Sequence, residues 1–152
     1  MSESIIREAV PADAEGLSEL YYRHLTQNPP AEPPDLALWA EKLSKFAADP
    51  AYHLLVCEAE GRVAASVTLV VVDNLTHGVR PWSIIENVVT HADFRGRGYA
   101  SALIAHAVEI ARAAGCYKVM LATGSKKEST LRFYRNCGFE SQTKTAFLMK
   151  LE

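Results

Sequence analysis

The chain has 152 residues, 49% of them hydrophobic and 22% charged, as expected for one ordinary water-soluble domain with its own core. Sixteen basic and eighteen acidic side chains leave a formal charge of -2, which argues against a nucleic-acid surface, so any anion site has to be local. No apolar run approaches the ~20 residues of a bilayer span. The start MSESIIREAV lacks the basic-then-apolar order of a signal peptide.

Ser4 to Ala9 reads as a first strand. Pro11-Ala12-Asp13 opens a helix on which Leu17, Leu20, Tyr21 and His24 or Leu25 recur at helical spacing. Asn28 to Pro34 holds four prolines and reads as a loop. Asp35 caps the next helix, made amphipathic by Leu36, Trp39, Leu43 and Phe46 and ended by Asp49-Pro50. Tyr52 to Glu58 and Val63 to Val72 read as a hairpin around Glu60-Gly61. A polar loop, Asp73 to Pro81, leads into the strand Trp82 to Thr90.

Ala92 to Gly98 is a glycine-bearing turn, and Tyr99 to Ala114 is the clearest helix, stopped by Gly115. Tyr117 to Ala122 is apolar without alternation, the pattern of a strand buried on both faces. A loop from Thr123 to Lys127 precedes a short helix, Glu128 to Asn136. Strands starting at Phe139 and spanning Thr145 to Leu151 close the order β-α-α-β-β-β-α-β-α-β-β. No repeat or linker marks a second domain, so residues 1–152 read as one. Cys57, Cys116 and Cys137 are odd in number and widely spaced. They read as reduced thiols of a cytoplasmic protein rather than a metal or redox pair.

The informative stretch runs from Ile84 through Phe94-Arg95-Gly96-Arg97-Gly98 to Tyr99 and Ala100. A strand passes through a glycine-rich turn straight into a helix. The first amides of a helix have no internal partners, and the helix dipole adds positive charge there. An anion set against them is stabilised. Gly96 and Gly98 place no Cβ in its way, and Arg95 and Arg97 offer donors matched to phosphate oxygens. No Lys-Ser or Lys-Thr follows the glycines, so this is not a Walker loop. The order of elements also rules out the dinucleotide fold.

Arg95-Gly96-Arg97-Gly98-Tyr99-Ala100 resembles the coenzyme A signature of the GNAT superfamily of N-acetyltransferases. Leu131-Arg132-Phe133-Tyr134-Arg135-Asn136-Cys137-Gly138-Phe139 resembles that family's second signature. The element order fits the family along nearly the whole chain. The resemblance implies a mixed α/β (α+β) fold, with a mostly antiparallel sheet of six to seven strands flanked by about four helices. It implies an acetyl-CoA-dependent transfer to a primary amine by direct attack, with no acyl-cysteine and no metal. It assigns cofactor contacts to Val88, Val89, Thr90, Arg95, Gly96, Arg97, Gly98, Tyr99, Ala100, Ser101 and Tyr134. Lys127 stands where the family often has an Asn, a departure that puts that contact in question.

By the same resemblance Tyr134 is the general acid near the sulfur, with simple packing on the cofactor as the alternative. Ile85-Glu86-Asn87-Val88-Val89 looks like the strand of glucosamine-phosphate acetyltransferases in which an acidic residue faces the acceptor. Glu86 then reads as a base or an ammonium anchor, the alternative being an ion pair with Arg80. His77 and Arg80, in the loop before that strand, are candidates for the acceptor pocket. His91 reads as a polar strand-end residue, with a base as the alternative. The five histidines, His24, His53, His77, His91 and His106, show no ligand spacing. The expected acceptor is a small amine such as an amino sugar, amino acid or polyamine. A non-catalytic acyl-CoA sensor, a protein N-terminal or lysine acetyltransferase and a user of longer acyl-CoA stay open as alternatives. No nucleic-acid or membrane partner is expected, and the family's frequent dimers leave a homodimer open.

Overall fold

The computed structural model describes residues 3–152. The chain divides into two compact units, one ending at Met120 and the other spanning Leu121–Glu152.

In the first unit, β1 (Ser4–Glu8), β2 (Tyr52–Ala59), β3 (Arg62–Val72) and β4 (Trp82–Thr90) form an antiparallel meander. The sheet order is β1-β2-β3-β4-β5, with β5 spanning Val119–Leu121. β5 is reached after α4 (Tyr99–Ala113) and joins β4 through Tyr117 N–H on Pro81 O and Ser83 N–H on Lys118 O. Pairing of Leu54 with Thr68 and of Val56 with Ser66 puts these four residues on one face of the sheet. Helices α1 (Ala14–Leu20) and α2 (Leu36–Ala48) cover that face. Leu17, Leu43, Leu54 and Val56 form the core there, walled by Tyr21, Trp39, Phe46 and Tyr52. On the opposite face α4 lies across β2, β3 and β4 and buries Leu103, Ile104, Ala107 and Ala111.

Local chemistry accounts for the helix starts and ends. The Asp35 carboxylate accepts from the amides of Ala37 and Leu38, both at 3.1 Å, and so caps α2. After α1 the chain widens into a π-helical turn, Tyr21–Leu25, closed by Thr26 N–H on Tyr21 O. The loop between β3 and β4 carries one turn, α3 (Thr76–Val79), with positive φ at His77, Gly78 and Val79.

The second unit holds α5 (Glu128–Asn136). Two expected strands are absent from it. A strand exists only where its backbone groups are laddered to a neighbour. Among the described residues the last backbone bond is Phe139 N–H on Tyr134 O, which closes the end of α5, and nothing after it is laddered. Phe147, Leu148, Met149 and Leu151 are more than 80% exposed. The apolar composition of Thr145 to Leu151 signalled a pleated surface, but β propensity reports packing rather than an intrinsic backbone preference. The sheet therefore has five strands, not six to seven. β5 is also shorter than Tyr117 to Ala122, and its residues are half-buried or exposed rather than buried on both faces; it lies at the end of the sheet order beside β4.

Asp13 and Arg7 tie the start of this fold together. Arg7 grips the Asp13 carboxylate with two bonds of 2.7 and 2.9 Å and reaches Glu58 at 3.0 Å. Asp13 also accepts the Val10 amide at 2.8 Å. Burial alone would push the Asp13 carboxyl up, but the Arg7 and Val10 hydrogen bonds outweigh it and hold it below its usual range. A carboxyl depressed on folding stabilises above its unfolded value, near 4, and that stability is lost as pH falls through the folded value. Asp13→Ala is expected to cost about 2–3 kcal/mol in urea denaturation at pH 7. Between pH 7 and pH 3 the variant's stability should fall less than that of the native chain.

Candidate active site

β4 carries a bulge at its centre. Thr68 pairs with Glu86 and Ser66 with Val89, so Asn87 and Val88 together oppose the single residue Val67. Asn87 takes a left-handed φ of 56°, which Asn tolerates better than other non-glycine residues because its side chain bonds locally. A bulge disrupts the ladder and leaves backbone groups unpaired at one point of the strand. Sequence reading passed over Asn87. The available signal was an Asn between the Ile and Val residues of an otherwise apolar strand.

Glu86 stands just before the bulge, exposed, and its carboxylate has no ion pair or hydrogen bond among the described residues. The ion pair with Arg80 is not formed. Arg80 instead donates from Nε to Gly115 O at 3.1 Å and from Nη2 to Cys116 O at 3.2 Å, closing the C-terminal end of α4. His77 stacks on Tyr117 at 3.8 Å. Beside Glu86 on the sheet, the buried Thr68 hydroxyl lies near the phenol of Tyr21, which stands on the π-helical turn. Burial pushes the Tyr21 phenol up.

The turn after β4 is pinned at several points. His91 N–H bonds Ala64 O at 2.8 Å, and Phe94 N–H bonds His91 O at 2.9 Å. Phe94 is 1% exposed and packs with Ala59, Ala64 and Tyr99. Arg62 and Arg97 lie over its ring at 5.0 and 5.1 Å. Gly96 and Gly98 have φ of 77° and 81°, which a side chain would strain. A Cβ built on either would meet no atom within 4 Å. The space over the turn is therefore open.

Helix α4 starts at Gly98 with no side-chain cap, and its first internal bond is Ala102 N–H on Gly98 O. The amides of Tyr99, Ala100 and Ser101 are left without a helical partner. They form an anion cradle with partial positive charge. The two arginines differ. Arg97 binds Glu60 at 3.2 Å and Asp93 O at 3.4 Å. Arg95 is exposed and makes no hydrogen bond or ion pair among the described residues. The donor set fits a diphosphate, with Arg95 as an exposed, uncommitted cation and Arg97 tied to Glu60 and Asp93.

The second unit is considered by itself. Tyr134 lies on α5, edge-on to Phe133 and Phe139. Burial, helped by Cys137, pushes its phenol up, so it holds its proton at neutral pH. Lys127 is the residue before α5, and its carbonyl accepts from Thr130 and Leu131. Burial in the first unit likewise raises the Cys57 thiol, which disfavours a nucleophilic thiolate.

Comparison with known proteins gives a consistent picture. The family model described as Acetyltransferase (GNAT) family matches residues 15–139. A glucosamine 6-phosphate N-acetyltransferase of Trypanosoma brucei brucei is 35% identical over 118 residues, covering 78% of this chain and 77% of that one. A solved chain from Agrobacterium tumefaciens strain C58 superposes with a TM-score of 0.86 at 40% identity, over 96% of this chain and 99% of that one. The crystal structure of glucosamine-6-phosphate N-acetyltransferase from Arabidopsis thaliana shares the fold, with a TM-score of 0.84 at 21% identity over 99% of both chains.

The unequal surroundings of the two arginines separate their variants. In calorimetric titration Arg95→Gln should weaken coenzyme A binding about tenfold, the worth of one charge-assisted hydrogen bond, with the melting temperature unchanged. Arg97→Gln should lower the melting temperature as well, because it removes the Glu60 and Phe94 contacts.

Proposed function

Because the chain belongs to the acetyltransferase (GNAT) family, we propose that it acetylates the amine of glucosamine 6-phosphate or a close amino sugar phosphate. Membership and the relatives make it an acetyl-CoA-dependent N-acetyltransferase of the kind that modifies small-molecule amines. The observation that carries the donor side is the uncapped start of α4 beside open glycines and a free Arg95. The acceptor side rests on the trypanosomal relative and on the unpaired Glu86 at the bulge.

Bound acetyl-CoA supplies a thioester, an acyl group with a good leaving sulfur. The chain's own residues supply the rest. Arg95 and the amides of Tyr99, Ala100 and Ser101 hold the diphosphate. Val88, Val89 and Thr90 run along the pantetheine arm. Glu86 anchors the acceptor ammonium and takes its proton, directly or through water, leaving a neutral amine to attack. An amide freed at the Asn87–Val88 bulge donates to the carbonyl oxygen as charge develops on it. Tyr134 protonates the departing sulfur. Its phenol holds a proton at neutral pH, so one is available to give. The enzyme is also read as cytoplasmic, in keeping with the odd number and wide spacing of its three cysteines.

Two measurements test this reading. In a thiol-release assay with acetyl-CoA, glucosamine 6-phosphate should exceed glucosamine, amino acids and polyamines in kcat/KM by about tenfold or more. Equal rates on all amines would remove the acceptor assignment, and no release with any amine would favour a non-catalytic sensor. Tyr134→Phe should lower kcat about 100-fold while coenzyme A binding persists. Unchanged turnover would remove the acid role.

A further inference from the structure

His91 stands where β4 becomes the turn, and the reaction sequence above gives it no part. Its side chain is 10% exposed. Its Nδ1 accepts the Asp93 amide at 3.1 Å, capping the short helical turn Ala92–Phe94. A backbone amide only donates, so this bond needs the lone pair on Nδ1; Arg62 Nη2, also a donor, faces Nε2, and a neutral ring can accept from only one of the two. Asp93 in turn accepts from Arg97 at its carbonyl and from Arg62 at its carboxylate. The imidazole thus holds the residue on which the frame of the cofactor turn hangs.

The ring is itself held. His24, from the π-helical turn, lies against it with centroids 4.1 Å apart, and Phe94 meets it edge-on at 5.9 Å. His24 Nε2 is buried without a partner. Burial first, then His91 and Arg95, keep His24 below its usual pKa, with Glu19 pulling the other way. His24 therefore serves as a neutral wall. Around Nε2 of His91 stand Arg62 at 3.2 Å and Glu19 at 3.9 Å. The Asp93 carboxylate lies 3.7 Å from Nδ1.

We propose that His91 is a positioning residue for the cofactor turn: its Nδ1 fixes the Asp93 amide and thereby presets the path of Arg95 to Gly98. The proposal rests on the reading of that turn as the coenzyme A site. A preset turn lowers the cost of ordering it around the ligand. Loss of the acceptor therefore appears in cofactor affinity and not in the chemical step.

The test compares His91→Ala with His91→Asn in the full chain. Asn restores an acceptor, because its side chain bonds the amide two residues on, and that amide is Asp93. His91→Ala should raise the coenzyme A Kd and the acetyl-CoA KM about tenfold, within the range of a lost cap. Its kcat should stay within about twofold, and His91→Asn should lie within about threefold of the native chain. Equal affinity of the Ala variant and the native chain, an Asn variant as weak as the Ala variant, or a fall in kcat at constant KM would each overturn the proposal. A native chain that does not bind coenzyme A would remove the reading beneath it instead. If the Ala variant does not fold, nitrogen NMR on the native chain decides. An unprotonated Nδ1 on His91 supports the proposal and a protonated one overturns it.

Discussion

A helix of 15 residues whose N-cap is a glycine with no side-chain cap leaves its first amides without a helical partner. This deficit at the start of α4 is the constraint from which the cofactor reading follows. Left alone it would fray. It stays open because the residues before it are fixed elsewhere: His91 to β3, Phe94 in the core, and Arg97 to Glu60. The rigidity of the turn comes from apolar burial and backbone bonds, and the arginines sit on top of it. The arginine tied into the frame and the exposed one proposed for the diphosphate are thus separate side chains, Arg97 and Arg95.

The bulge in β4 plays the complementary part. Antiparallel pairing satisfies backbone groups in register, and a register shift between Ser66 and Thr68 breaks that economy at one place. Glu86 and Asn87 sit at the break, on a strand whose far end leads into the turn. One continuous strand therefore carries both the carboxylate proposed for the amine and the path to the diphosphate cradle. The family relationship and the small-molecule relatives agree with that arrangement.

Much of this was legible in the sequence because it depends on local rules. Asp35 caps α2 as its position implied, Gly98 precedes α4, and the hairpin turns at Glu60-Gly61. The contacts that the sequence did not show depend on tertiary partners. Arg80, a candidate for the acceptor pocket, donates to the carbonyls of Gly115 and Cys116 just beyond α4, a contact between residues 35 and 36 positions apart. Arg97 carries the same signature as Arg95, and Glu60 distinguishes them. The strands expected after Phe139 failed because apolar content does not provide a ladder partner. His24 and His91 lie far apart in sequence and meet only through the π-helical turn.

The measurement that reaches the centre of the account is a titration of the native chain with coenzyme A, followed by amide nitrogen–proton NMR. If the start of α4 receives the diphosphate, the largest saturable shifts fall on the amides of Gly96 through Ser101. Saturable shifts that leave those amides unmoved, or no binding at all, would contradict it.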